Sequence, residues 1–429
     1  MDNRQSTPTR WLPRFALIWS GQQLSLIGSA LAQFALVWWL TQKTGSATVL
    51  ATASLVAILP AVFLGPFVGA LVDRWNRRIV MIVADGMAAL AAAWIVYLIW
   101  SGTMQVWHIY VLMFVRSICG GFHWPAMMAS TSLMVPDRHL ARLSGINQTV
   151  SGAVNIIAPP LGALLLQIMP LYGIMAIDVA TAVLAIVPLL FLTIPQPQRS
   201  TPAAGLSPRT LWADVREGVH YLWSWRGAVA FLLLATVINF LLNPAFSLLP
   251  ILVTKHFAGG AWHLGGLDSA YGIGMVLGGL LLGVWGGFRR RVLTTLTGLV
   301  GMGLGTLAIG LAPASWFWLA VAAMLFTGIM SPIINGPVLA LMQSLVPPQM
   351  QGRVFTVIQS IAAGMSPLGL AVAGPVADAL GVRSWFLIGG VVCTLLGAGA
   401  FFVPAILNLE DSGKKRMAMA AETTAVTEA

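Results

Sequence analysis

The chain has 429 residues, of which 58% are hydrophobic and only 8% charged, with a mean hydropathy of +0.85. A soluble chain carries about a quarter charged residues, so the composition excludes a soluble globular protein and indicates many membrane spans. The formal net charge is +10, but the basic residues lie in short turns between apolar runs, which argues against a nucleic-acid ligand.

A bilayer span takes about 20 apolar residues. Twelve runs qualify in chain order: 15–40, 48–71, 79–101, 106–128, 144–169, 174–194, 228–253, 264–288, 292–311, 316–345, 355–380 and 385–407. The first follows Arg10 and Arg14 as a signal peptide would. It is too long for the apolar core of one, lacks a clear small-residue cleavage site and leads into further spans, so it reads as the first helix. The expected organisation is a tail (1–14), a six-helix bundle (15–194), a linker (195–226), a second six-helix bundle (227–408) and a disordered tail (409–429). In the linker, Ser207 and Pro208 read as the start of a surface-lying amphipathic helix. Leu211, Trp212, Val215, Val219, Leu222 and Trp223 form its apolar face. Cys119 and Cys393 both lie in apolar runs and read as packing residues, not as a disulfide or a metal site.

Charge sets the expected orientation. Of the 23 Lys and Arg, all but Lys43, Lys255, Arg383 and Arg116 fall in the tails or in alternate turns. Basic residues are retained on the cytoplasmic side, so both termini are expected there. The turn Gly69-Ala-Leu-Val-Asp73-Arg74-Trp-Asn-Arg77-Arg78 carries the clearest signal. We expect it to gate alternating access. Asp73 would sit at the N-terminal end of the eleventh helix, around Arg353, favoured there by the helix dipole. Arg74, Arg77 and Arg78 would bridge neighbouring helix ends.

The halves repeat. Val135-Pro136, Arg142 and Gln148 recur 211 residues later as Val346-Pro347, Arg353 and Gln359, and Gly69 and Arg77 recur 214 residues later as Gly283 and Arg291. Six plus six spans in a parallel repeat define one common transporter architecture. Gly287 replaces Asp73 in the second half, so gating is expected to be asymmetric.

Polar side chains at lipid depth face a cavity or a helix contact. Gln22, Ser25, Ser29 and Gln33 share one face of the first span, and Thr236, Asn239, Asn243 and Ser247 share the equivalent face of the seventh. Both stripes are cavity candidates, with packing as the alternative. Phe122, Asn335 and Gln359 are added to the cavity set. Arg116 lies mid-span and needs a partner, since a buried arginine costs roughly 2.5–3.5 kcal/mol. Its second-half counterpart is Thr327, so the fold does not require the charge. Asp85 and Asp178 are candidate partners. An acid beside an arginine can couple proton movement to a conformational change, or form a static ion pair. His123 can titrate or serve packing. No phosphate-cradling loop and no metal-ligand cluster is present in the sequence, so neither an enzyme nor an ATP-driven pump is expected.

These residues carry a resemblance. Gly69-x-x-x-Asp73-Arg74-x-x-Arg77-Arg78 resembles the signature turn of the major facilitator superfamily, and Arg116 with Gly120-Gly121 resembles its fourth-helix motif. Ala158-Pro159-x-x-Gly162 resembles the fifth-helix motif of its antiporters, with Ala158 where a glycine is expected. Ile18-Trp-Ser-Gly-Gln22, Leu40-Thr-Gln-Lys-Thr-Gly-Ser46, Val115-Arg-Ser117, Phe122-His-Trp-Pro125 and Gly352-Arg-Val-Phe355 resemble its macrolide-efflux branch. The resemblance implies an all-α membrane protein with the major facilitator fold, twelve spans in two pseudo-symmetric bundles. It further implies a monomeric exporter of a bulky amphipathic small molecule, driven by protons without any cofactor, in the cell membrane. The first span has no acid, where many drug–proton antiporters of the superfamily place one. Coupling would therefore use Asp85, Asp178 or another group, or the carrier would be a uniporter. An exporter of an endogenous metabolite such as a siderophore is the alternative. A non-transporting sensor or scaffold is the third reading.

Overall fold

The structure is a computed structural model that describes residues 11–194, 216–217, 219–346, 348–413 and 415–416. The side chains of Gly69, Asp73, Arg74, Arg353 and Gln359 lie outside the described set, as do Ser207, Pro208, Leu211, Trp212 and Val215 of the linker. The described residues are helical almost throughout, with turns between helices. Among the described residues, eleven helices are long and apolar enough to cross a membrane. The chain divides into two compact units, Met1–Gly45 with Thr52–Ala204 and Gly260–Gly266, and Ser46–Ala51 with Gly205–Gly259 and Leu267–Ala429.

The first unit is built on α1 (Trp11–Thr44), α2 (Ala47–Arg74), α3 (Arg77–Trp100), α4 (Val106–Met134), α5 (Asp137–Ile168) and α6 (Leu171–Phe191). Arg116, His108 and His123 lower the hydropathy of α4, which falls outside the eleven. Asn76 starts α3: its side chain accepts the amides of Arg78 and Ile79, two donors that the helix itself leaves unpaired. The arginines of this turn reach neighbouring helices of the same unit. Arg77 Nη1 donates to the Ala129 carbonyl of α4 at 3.2 Å. Arg78 donates to the Leu189 and Leu190 carbonyls at the end of α6, at 2.5 and 2.6 Å, where a cation also meets the negative end of the helix dipole. Beneath this turn Phe15, Ile18, Val72, Met81, Met127 and Leu189 form a buried core. Gly21 and Gly28 let α1 approach α6 closely.

The second unit comprises α7 (Arg226–Ser247), α8 (Leu249–Lys255), α9 (Ala261–Trp285), α10 (Arg291–Leu311), α11 (Phe317–Leu345), α12 (Pro348–Leu380), α13 (Val382–Ala400) and α14 (Pro404–Leu407). The expected seventh span is thus interrupted near residue 248. Pro250 has no N–H to return to Phe246, and the Leu248 amide is shared between the Pro244 and Ala245 carbonyls, which tightens the last turn of α7. Gly274 and Gly278 of α9 abut the backbone of α11, and Gly328 of α11 abuts Tyr271. The repeat recurs in bonding: Arg291 Nη1 donates to the Ala340 carbonyl of α11 at 3.2 Å, as Arg77 does to α4. Ser46–Ala51, the start of α2, groups with this second unit, and there Asp378 of α12 accepts from Ser46 Oγ, the Ala47 amide and the Thr48 amide at 2.8–2.9 Å.

One expectation needs correction. The tail from 409 is not disordered at its start: residues 409–413 and 415–416 are helical and dock on the unit. Glu410 Oε1 accepts the Val292 amide at 2.9 Å, Trp225 Nε1 donates to Ser412 Oγ at 2.9 Å, and Arg416 lies 5.1 Å from the centre of the Tyr221 ring. Its polarity suggested disorder, but its polar groups meet unpaired helix ends. In the linker helix, Leu222 is buried and Val219 packs beside it, Trp223 is 64% exposed and Trp225 is buried.

Candidate functional site

The first unit encloses a cavity of about 270 Å³ bounded by α1, α3, α4, α5 and α6. Its polar wall is assembled from residues far apart in sequence. Gln22 Nε2 donates to Asp85 Oδ2 at 2.9 Å. His123 Nε2 lies 3.4 Å from Asp85 Oδ1, short of hydrogen-bond geometry. Arg116 Nη1 pairs with Asp178 Oδ2 at 2.6 Å, and Ser29 Oγ donates to Asp178 Oδ1 at 2.9 Å. Ser25 completes the α1 contribution.

The two carboxylates differ in their partners. Asp178 is 4% exposed and accepts from a guanidinium and a hydroxyl. Asp85 accepts from the Gln22 amide and faces the His123 imidazole, with no arginine among its described partners.

The second unit holds a second cavity, also about 270 Å³, lined by Asn239, Asn243, Phe246, Tyr271, Thr295, Ser331 and Asn335, among others. Asn243 Nδ2 donates to Asn239 Oδ1 at 2.9 Å, and Asn335 Nδ2 donates to the Ser331 carbonyl. None of its lining residues is a carboxylate or a base. The positions equivalent to Asp85 and Arg116 are Leu299, which lines this cavity, and Thr327, which bonds back to the Ala323 carbonyl of its own helix.

Several expected residues fall elsewhere. Gln33 is exposed and lines neither cavity, and Thr236 bonds to the Leu232 carbonyl of its own helix. Ser247 also lines neither cavity. The polar stripes thus hold in their middle turns and end where the helices leave the cavities. Phe122 lines an adjoining apolar groove. The sequence reading missed Trp19 and Asn147, whose side chains bond at 2.6 Å on the cavity wall. The neighbouring Gln148, named there only as a marker of the repeat, is exposed. The repeat singled out Gln148, whereas helix rotation puts Asn147 inside. Ser331 was also missed, although its spacing of four from Asn335 carried the signal.

Two helical units with polar cavities on membrane-spanning helices define a multi-pass membrane transporter. The model of the Major Facilitator Superfamily matches residues 18–369 and 245–425, and the chain belongs to that superfamily. It is similar to macrolide efflux protein A of Streptococcus pyogenes, 35% identical over 385 residues that cover 89% of this chain and 94% of the relative. It is also similar to the multidrug efflux pump Tap of Mycolicibacterium fortuitum, 27% identical, covering 90% of this chain and 95% of that protein. A POT family transporter solved in complex with 5-aminolevulinic acid shares the fold, with a TM-score of 0.71 and 12% identity over 91% of this chain and 96% of the other.

Proposed function

We propose that this protein is a proton-coupled exporter of bulky amphipathic drugs, macrolides among them, working by alternating access. The reading takes twelve spans, both termini in the cytoplasm, a monomer, and the proton gradient as the energy source. The observation that carries it is the first-unit cavity, where an arginine-paired acid and an acid beside a histidine face one space. A group that gains and loses a proton next to a bound molecule can link the two fluxes, because each state has a different affinity for both. Asp85 with His123 is the exchanging pair, and Arg116 with Asp178 holds the wall. The similarity to macrolide efflux protein A over nearly the whole chain supports the substrate class. The turn of Gly69, Asp73, Arg74, Arg77 and Arg78, with Arg353, acts as the gate.

The test is accumulation of a radiolabelled 14-membered macrolide in a pump-deleted host. Expression should lower accumulation, a protonophore should restore it, and Asp85→Asn should abolish the protonophore-sensitive part at equal expression. Unchanged accumulation with the protein present in the membrane would remove macrolides from the reading and direct the same assay to endogenous metabolites.

A further inference from the structure

The charged groups on the wall of the first-unit cavity answer one another: Arg116 and Ser29 hold Asp178, and Gln22 and His123 face Asp85. A neutral part of the same wall does not. Trp19 and Gln23 of α1 and Asn147 and Ser151 of α5 line the cavity and are half-buried. Each pair is four residues apart, so its members share a helix face. The two helices run in the same direction, because successive spans alternate. Trp19 Nε1 donates to Asn147 Oδ1 at 2.6 Å. One turn further, about 6 Å along each axis, come Gln23 and Ser151.

The first rung is closed and the second is open. An indole has a single donor, so the bond to Asn147 satisfies Trp19 and fixes its ring. Asn147 keeps its Nδ2 donors. Among the described residues nothing accepts from them, and Gln23 and Ser151 have no side-chain hydrogen-bond partner either. None of these atoms is sealed from the cavity. Serine and threonine within a helix often bond back to the carbonyl four residues earlier, as Thr149 does to Gly145. Ser151 instead leaves its hydroxyl to the cavity.

Two amides, a hydroxyl and an aromatic ring thus face one space, with no charge among them. Their chemistry selects an uncharged ligand surface: an apolar ring frame to lie on the indole, and hydroxyl, ether or carbonyl oxygens to meet the amides and the hydroxyl. A few placed polar groups on a largely apolar wall are the usual make-up of a small-molecule site. Gln23 also adjoins Gln22, whose amide holds Asp85, so a ligand seated here lies beside the exchanging pair.

We propose that Trp19, Gln23, Asn147 and Ser151 form a substrate subsite for the uncharged, oxygen-bearing face of the exported molecule, with Asn147 also holding the Trp19 ring in position. The proposal deepens the export reading above and rests on it. Water is the competing occupant: it meets the same polar groups but makes no use of the ring and gives no dependence on substrate.

The test uses the full chain in proteoliposomes with an imposed pH gradient and a radiolabelled 14-membered macrolide. Gln23→Leu and Ser151→Ala remove groups that bond to nothing described within the protein, so folding is spared. Each should raise KM about fivefold, the scale of one lost hydrogen bond, with kcat within about twofold, the signature of binding lost equally from ground and transition states. Asn147→Leu should raise KM further, about tenfold or more, because it also frees the ring. Thr149→Val, on the same helix but outside the cavity, should change neither. If Gln23→Leu and Ser151→Ala behave as Thr149→Val does, the groups face water only and the proposal is overturned, even if Asn147→Leu is impaired. As a second measurement, the macrolide should slow maleimide labelling of Ser151→Cys, counted above the wild-type background, and leave that of Thr149→Cys unchanged. Equal rates at Ser151→Cys with and without macrolide overturn the proposal. A wild-type protein that transports no macrolide defeats the export reading itself, and the proposal with it, before any variant is compared.

Discussion

Arg116 sits where a charge is expensive, and its surroundings show how that expense is met. One partner is Asp178 at 2.6 Å, itself held by Ser29. Removing one member of such a pair leaves the other buried and unpaired, at a cost of about 3–5 kcal/mol. Arg116→Leu should therefore lower thermal stability in detergent sharply. Arg116→Leu combined with Asp178→Leu should recover most of it, because two apolar side chains leave no orphaned charge. The pair's part in transport is read from that double variant. Folding at near-normal stability with loss of macrolide export is the expected result, and export at the wild-type rate would reduce the pair to a structural bridge. The sequence already singled out Arg116, Asp178, Asp85 and His123, because ionisable residues in apolar runs are few. It left open which acid serves which base. That choice depends on how α4, packed on α3, is rotated so that His123 meets Asp85 of α3 and Arg116 reaches Asp178 of α6, and spacing along one helix carries no such information.

At the scale of elements, the packing of α9 on α11 decides how closely two helices approach. Gly278 meets the Ile329 backbone and the Pro332 ring, leaving no room for a side chain. Gly278→Leu should push the helices apart, an overpacking cost of about 1–3 kcal/mol. The check is a lower melting temperature and reduced yield of monodisperse protein. Gly279→Leu, one position on, has open space around it and should be tolerated. The spacing of Gly274 and Gly278, four residues apart on one helix face, is itself a small-residue contact pattern. The break before α8 was less legible: Pro244 and Pro250 were visible, but several helices here carry internal prolines without ending. A proline ends a helix only where the freed carbonyl finds another donor or water, a matter of surroundings.

Across the whole molecule, the distribution of basic residues carries a prediction of its own. With both termini in the cytoplasm, the α3–α4 turn lies outside and the α9–α10 turn inside. A membrane-impermeant maleimide should label Thr103→Cys in intact cells and Arg289→Cys only after permeabilisation. The native thiols, Cys119 and Cys393, are buried and contribute little background. The reverse pattern would invert the orientation and transfer the Asp73 turn to the outer face.

The sequence by itself determined the membrane class, the helical architecture, the superfamily and the short roster of ionisable residues within the spans. Each follows from a rule that acts locally along the chain. Backbone polar groups in lipid must pair within their own helix, so an apolar run of sufficient length is already a span, and a charge inside it is already conspicuous. The tertiary structure alone decided the pairing of Arg116 with Asp178 and of Asp85 with Gln22 and His123. It also placed Asn147 on the cavity wall and docked the tail on Val292 and Trp225. These depend on the rotation and register of helices against one another, which many distant contacts settle together and no single stretch of sequence encodes.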